Sequence, residues 1–379
     1  MRRRGFMMVL GAAGATVALS ACDRMPASAV QAWNGPLPAA ERDIRLKVLS
    51  WAMLAPNPHN LQSWIADVRR PETIVLQVDR TRLLPQTDPQ GRQILIGCGA
   101  FLELLRMGAA ADGWQADTTL LPDGPYPDDR LDERPFATVR LRRDAGVQRD
   151  PLFEAVRTRR TNRANYEDRV PEGALLQQLQ AATATPGVAL TALTQPAQVR
   201  RIAALAVRGY EVEFRDPKAW GETAEVMRIG APAVALEPSG VAVLGTDVWW
   251  GRQVGMLNAA AMARTDGIAA TRAVTSSTEA AHHTPVWSWL VTADNSRISQ
   301  LAAGRAYVRW SLSAAQLGLA VQPNSQVLQE FPAMQGAFAD FHREAGVAAP
   351  GRVQMLARLG YGRQPGPAPR RAVERLLRI

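Results

Sequence analysis

Cysteine, histidine and lysine are nearly absent from this chain. Two cysteines (Cys22 and Cys98), four histidines and two lysines (Lys47 and Lys218) are spread through 379 residues. A disulfide framework needs an even set of spaced cysteines, and a zinc site needs Cys/His clusters at ligand spacing. Neither pattern is present, and His282 and His283 are neighbours whose side chains diverge on any regular element, so no metal is expected. Positive charge of the lysine type is missing, yet arginine carries the formal charge to +9. Those arginines are interspersed with aspartate and glutamate and form no long basic or aromatic-interleaved stripe, so no nucleic-acid partner is expected. Disorder is excluded by composition, with 47% hydrophobic and 21% charged residues.

What is present begins at the N-terminus. Arg2, Arg3 and Arg4 precede Gly5-Phe6-Met7, and an uncharged stretch rich in Ala, Gly, Val and Leu runs from Met7 to Ala21. This has the charged and short apolar regions of an export signal, too short to span a bilayer as a mature helix. Arg3-Arg4-Gly5-Phe6-Met7 fits the twin-arginine pattern. Leu19-Ser20-Ala21-Cys22 looks like a lipobox, which makes Cys22 the expected site of lipidation. Twin-arginine export carries folded proteins, a route suited to a protein that takes up a cofactor before leaving the cytoplasm. The expected location is the periplasmic side, lipid-anchored at Cys22. Cys98, in the apolar run Ile94 to Leu102, reads as a small buried hydrophobe rather than a nucleophile.

The expected organisation is a signal over 1–21, a Pro-containing tether over 22–38, a first half over 39–147, a second half over 148–365 and a tail over 366–379. Periodicity predicts helices over about 39–54, 93–111, 172–182, 198–214, 248–263 and 296–317. Strands are expected near 64–68, 74–78, 136–141, 188–193, 286–292 and 353–359. Thr265 to Thr284 is small and polar and reads as a loop or lid, and Arg370 to Leu377 as a short amphipathic helix. Trp287 and Trp289 alternate on a strand and are assigned to the core. The strand–helix order is too irregular for a doubly wound sheet, so the fold class is α+β.

Two segments carry the chemistry. Ala52 through Trp64 reads Ala-Met-Leu-Ala-Pro-Asn-Pro-His-Asn-Leu-Gln-Ser-Trp, and Arg159-Arg160-Thr161-Asn162-Arg163 is a dense basic arm. Clustered arginines and a hydroxyl suit a phosphate through forked, charge-assisted hydrogen bonds. Amide side chains such as Asn60 and Gln62 match the alternating donors and acceptors of a flat heterocycle. The first segment resembles the A-P-S-x-x-N-x-Q-P-W helix end of the nitroreductase family, with Asn57 in place of Ser and Ser63 in place of Pro. The second resembles that family's R-R-S-x-R arm, with Thr161 for Ser.

The resemblance implies an FMN site. Family dimers build each flavin site from both subunits, and here the turn lies in the first half and the arm in the second. The first half has no arm near Ala39 to Val48, and the second half's helix end, Ala181 to Gly187, has no Asn or Gln. The chain therefore resembles the Acg-like branch: two pseudo-repeated halves forming a fused dimer, one FMN site, and a monomeric state. The implied cofactor-binding residues are Pro56, Asn57, His59, Asn60, Gln62, Arg159, Arg160, Thr161, Arg163, Gly318, Leu319 and Arg363. His59 is the candidate proton donor. The implied activity is electron or hydride transfer from an NAD(P)H-type or membrane-associated donor to an electron-poor nitro or quinone acceptor. A non-catalytic flavin-binding lipoprotein and a lipoprotein for another small ligand or partner remain open.

Overall fold

The computed structural model describes residues 23–378; the signal and lipobox fall outside them. The first half contains helices α1 (Pro38–Glu41), α2 (Ile44–Ala52) and α3 (Arg92–Ala111), with strands β1 (Trp64–Asp67), β2 (Thr73–Val78), β3 (Trp114–Leu120) and β4 (Pro135–Arg143). Its antiparallel sheet has the order β1-β2-β4-β3. The second half starts with α4 (Gly173–Thr183) and β5 (Val188–Leu193) and continues with β8 (Val286–Thr292), α11 (Arg297–Gln316), β9 (Ala320–Pro323) and β10 (Arg352–Gly360). Its sheet order is β5-β8-β10-β9. Position for position this is the same motif: a helix, two strands, a central helix, two strands. The expected α+β fold in two pseudo-repeated halves is the one observed.

The second half is larger because an excursion separates β5 from β8. It holds α5 (Pro196–Arg215), α6 (Pro217–Glu225), β6 (Met227–Ile229), α7 (Ala231–Leu236), β7 (Val241–Val243), α8 (Thr246–Gln253), α9 (Ala259–Ala263) and α10 (Ile268–His282). A further helix, α12 (Gln335–Glu344), lies between β9 and β10. The segment expected as a loop over 265–284 is thus mostly the helix α10. It packs Ala270 and Ala281 into the same core as Ile202, Tyr210 and Trp287, because small side chains let two helices approach closely. The expected helix over 248–263 is interrupted at Val254–Asn258 by Gly255, whose φ of 72° an L side chain rarely adopts. Trp287 and Trp289 are core residues, as expected.

The halves join through α3 and α11, two 20-residue helices that cross at glycine. A Cβ on Gly99 would sit 2.0 Å from the Leu301 carbonyl oxygen, and one on Gly304 would sit 1.9 Å from that of Ile96. The contacts are reciprocal: each glycine meets the residue three positions before the other. That is the signature of a two-fold, isologous contact. Helix α3 is long and apolar enough to cross a membrane by length and composition, but 89% of its apolar window is buried inside the protein. Cys98 sits on it with no exposure, and burial pushes its thiol pKa up, as the hydrophobe reading requires.

The ends of the described chain depart from expectation. The segment read as a tether forms a 3₁₀ helix, Ala27–Asn34, that buries Ala29 and Trp33. The segment read as a tail returns to the first half, burying Arg370, Arg371, Val373 and Leu376. Only Val373–Leu376 is helical there, as one 3₁₀ turn, and Leu377 bridges Ala66 in parallel. Both segments are Pro-rich and therefore lack helical periodicity, while their packing partners are far away in sequence.

Filling the helix crossing should cost stability. Gly304→Ala is expected to lower unfolding free energy by about 3 kcal/mol, since the added methyl meets rigid backbone. Gly221→Ala, in α6 with no neighbour within 4 Å, should instead be neutral or gain about 0.5 kcal/mol. Chemical denaturation of the two variants beside the parent protein compares them directly.

Candidate functional site

The turn after α2 is strained. Met53, Leu54 and Ala55 are buried, and the chain then reverses through Pro58–Asn60. His59, Asn60 and Gln62 have φ of 44°, 56° and 55°. Left-handed backbone at non-glycine residues costs on the order of 1 kcal/mol each and persists where surrounding contacts over-determine it. Here Asn57 supplies them: its Oδ1 accepts from Gln62 N at 2.8 Å and its Nδ2 donates to Ala55 O at 3.1 Å. Gln62 braces the far side, donating to Pro238 O at 3.0 Å and accepting from Arg371 N at 2.9 Å.

Facing this turn are four guanidinium groups. Arg159, Arg160 and Arg163 come from the arm that follows the 3₁₀ turn Pro151–Ala155, and Arg370 comes from the tail. Arg160, Arg370 and Arg159 lie 4.3, 5.1 and 5.9 Å from the centre of the Trp33 ring. Trp33 is held in turn by its Nε1 donating to Ala368 O at 2.7 Å. Arg370 Nε donates to Met53 O at 2.8 Å and its Nη1 to Asn60 Oδ1 at 2.5 Å, so it closes the open end of α2. No carboxylate of a described residue pairs with any of the four. Burial pushes the pKa of each below the usual range, and for Arg370 the charges of Arg159 and Arg160 add to it. A guanidinium does not surrender its proton, so the cluster keeps a positive potential that an incoming polyanion would relieve.

Turn and arm open onto one cavity of about 370 Å³, within the range of small-molecule sites. Helix α3 contributes Gln93, Ile96 and Gly97, α11 contributes Tyr307, and β9 contributes Gln322 and Pro323. Gly240, Val241 and Ala242 at β7 and the tail from Pro365 to Arg370 form further wall. Asn60 ties these covers down, donating to Gly240 O at 3.2 Å and Pro369 O at 3.0 Å. His59 lines the cavity as a neutral imidazole; desolvation first, then the Arg163 charge, lowers its pKa to about 4.

Eight of the expected site residues line this cavity: Pro56, Asn57, His59, Asn60, Arg159, Arg160, Thr161 and Arg163. Four do not. Gln62 is fully buried behind the turn, with its amide committed to backbone groups. Gly318 and Leu319 line a separate recess of about 110 Å³ beside Gly362, because β9 carries the chain onward and presents Gln322 and Pro323 instead. Arg363 lies outside the wall, and its carbonyl accepts from Asn162 Nδ2 at 2.8 Å. Asn57 and Asn60 are present at the wall, but their amides serve the turn and the covers rather than an open edge. Sequence reading missed Trp33, Tyr307 and Arg370; the Arg370-Arg371 pair in a Pro-rich tail was the one visible signal among them.

A depressed histidine pKa has a defined pH consequence. The unfolded chain binds a proton at His59 near pH 6.5 and the folded chain only near 4, so this group's stabilisation is complete above about 6.5 and is lost as pH falls toward 4. The imidazole resonance of His59, followed by NMR titration, should move with a midpoint near 4. Arg163→Gln should raise that midpoint by part of the shift, leaving the desolvation share in place; an unchanged midpoint would refute the assigned contribution.

No family model matches the chain. In Mycobacterium tuberculosis H37Rv, a protein named "Putative NAD(P)H nitroreductase Rv3131" is 32% identical over 161 residues, 42% of this chain and 45% of that protein. Another carrying the same description, acg, is 36% identical over 81 residues, 21% of this chain and 24% of that protein. The chain thus spans less than half the length of the curated relatives it matches. Among solved structures, the FMN and NADPH-dependent nitroreductase NfnB from sphigopyxis sp. strain HMH is similar at 21% identity and TM-score 0.39, with 61% of this chain and 99% of that chain covered. A nitroreductase with bound FMN from Bacteroides fragilis covers 57% and 91% at 14% identity and TM-score 0.31. By sequence, part of the chain is similar to proteins named putative NAD(P)H nitroreductases, acg among them.

Proposed function

We propose that the cavity binds FMN and that the protein is an FMN-dependent oxidoreductase. The observation that carries this reading is the group of four buried or cavity-facing arginines with no carboxylate partner, set beside a cavity walled by a strained polar turn. The residues fit the cofactor. Arg159, Arg160, Arg163 and Arg370 with the Thr161 hydroxyl would hold the dianionic phosphate, and the walls from Pro56, Ile96, Gly97 and Pro323 suit a flat ring. When bound, FMN supplies the electron or hydride transfer. The chain's own part is to hold and orient the cofactor, to exclude water and to fix local charge. His59 enters that role as a neutral hydrogen-bonding group; it carries no extra proton to donate near pH 7. The donor is of the NAD(P)H type or membrane-associated, and the acceptor is an electron-poor nitro compound or quinone.

A second reading, a flavin-retaining lipoprotein without turnover, is favoured by one contact set. Asn60 stitches both the β7 segment and the tail across the cavity, which suits retention better than passage of substrate. Export by the twin-arginine route, acylation at Cys22 and a monomeric state belong to the same proposal and rest on the sequence outside the described residues and on the fused halves. The N-terminal peptide mass of membrane-extracted protein checks the acylation.

Purified protein is expected to be yellow, with flavin absorption. Charge-assisted hydrogen bonds contribute about 1.5 kcal/mol or more each, so Arg159→Gln/Arg160→Gln/Arg163→Gln should weaken FMN binding by about 10³-fold or more without unfolding. Undiminished FMN in that variant would sink the site assignment. Bleaching by a donor followed by reoxidation with nitroaromatics or quinones supports turnover; bound flavin that no donor bleaches supports retention.

A further inference from the structure

The exposed large apolar side chains are not scattered. Seven occur among the described residues, and five of them (Leu236, Trp250, Val254, Met256 and Ile268, between 48% and 81% exposed) fall on the excursion between β5 and β8. Isolated exposed hydrophobes are ordinary on protein surfaces, but a concentration on one element marks an interaction surface. Trp250 and Val254 are one helical turn apart at the end of α8, where Val254 N donates to Trp250 O at 3.0 Å, and Met256 follows in the turn. Trp250 packs edge-on against Trp249 with ring centres 4.8 Å apart, which fixes it in its outward position.

The same excursion is fastened to the start of the described chain. Asp23 is buried and its carboxylate accepts from Ala231 N at 2.8 Å and Gly245 N at 2.9 Å, the first residue of α7 and the residue that caps α8. Cys22 immediately precedes Asp23 in sequence. At about 1.5 Å of rise per helical residue, Trp250 and Val254 lie roughly 8 and 14 Å along α8 from Gly245 in this knot. Arg252, two residues from both Trp250 and Val254 and so on the other side of the helix, lies against Gly230 and leaves the outward face apolar. Exposed apolar and tryptophan side chains on a helix end fastened to the residue after Cys22 suit the headgroup boundary of a membrane.

We infer that the α8 face carrying Trp250, Val254 and Met256 is a membrane-docking surface that seats the folded protein on the lipid bilayer beside its own anchor. This rests on the reading of Cys22 as acylated. Anchoring through a loose tether would leave orientation free; the Asp23 knot removes the slack, and the patch then contacts the surface at a fixed angle. The excursion that docks also supplies Gly240–Ala242 to the cavity wall.

The test uses the full chain, purified from membranes and reconstituted in phosphatidylethanolamine/phosphatidylglycerol vesicles, with a bimane label on Trp250→Cys, Val254→Cys or Met256→Cys. Cys98 is buried and stays unlabelled, and Asp129→Cys, an exposed position in the first half, is the control. Severalfold stronger quenching by nitroxide lipid at 250, 254 and 256 than at 129 is the expected result. Quenching no stronger than at 129 overturns the proposal, as does a blue shift that grows with protein concentration without vesicles, which would assign the face to a second copy. Val254→Glu/Met256→Glu should reduce quenching at 250 while leaving bound flavin unchanged. Absence of quenching at 250, 254 and 256 in protein without the Glu substitutions, with flavin retained, fails this inference alone, whereas absence of flavin from the parent protein fails only the cofactor reading.

Discussion

Two backbones touching at two glycines hold this protein together. Gly99 and Gly304 let α3 and α11 approach until each glycine lies against a carbonyl of the other helix. No residue with a Cβ permits that distance. The crossing joins the cores of the two halves. The first core takes in Leu301, Val308 and Leu312 from the second half's central helix, and the core under the second sheet takes in Ile96 from the first. The cavity inherits the same geometry, since Ile96 and Gly97 of one helix and Tyr307 of the other meet at its wall.

A two-fold crossing would by itself create two equal sites, and the sequence has broken that equality with charge. At the pseudo-equivalent end of the crossing, the buried Glu103 and the half-buried Asp150 pair with Arg106, Arg305 and Arg309. Arg309 Nε also donates to Ala182 O at the end of α4, much as Arg370 donates to the end of α2. There the cations have carboxylate partners; in the cavity they have none. The carboxylates Glu103 and Asp150 are held below their ordinary pKa range, with their hydrogen bonds and charge contacts to arginine outweighing desolvation. One end therefore carries its own counter-charges, and the other is an open demand for negative charge.

Sequence patterns exposed the parts of this design that are local. Helix α3 was legible from its long apolar run, the turn from Pro56 and its flanking amides, and the arm from charge density. Much that was not legible is long-range. Trp33 and Ala368 meet across 335 positions, and nothing in a Pro-rich stretch announces a partner so distant. Strands β6 and β7, of three residues each, are too short to show alternation. Helix α10 hides because its buried face is alanine, which carries little hydrophobic contrast against Thr and Ser. Of the segment from Gly318 to Gln322 expected beside the cofactor, Gln322 lines the cavity, while Gly318 and Leu319, just before β9, line the smaller recess.

The tail has a further consequence, in the order of events during synthesis. Residues 365–370 are the last part of the wall to leave the ribosome, while the turn, the arm and both central helices are already outside. The cavity consequently passes through a stage in which Arg159, Arg160 and Arg163 are present but Arg370 and the rest of its cover are not. A cofactor can enter without opening any finished structure, and completion of the chain then shuts the door behind it.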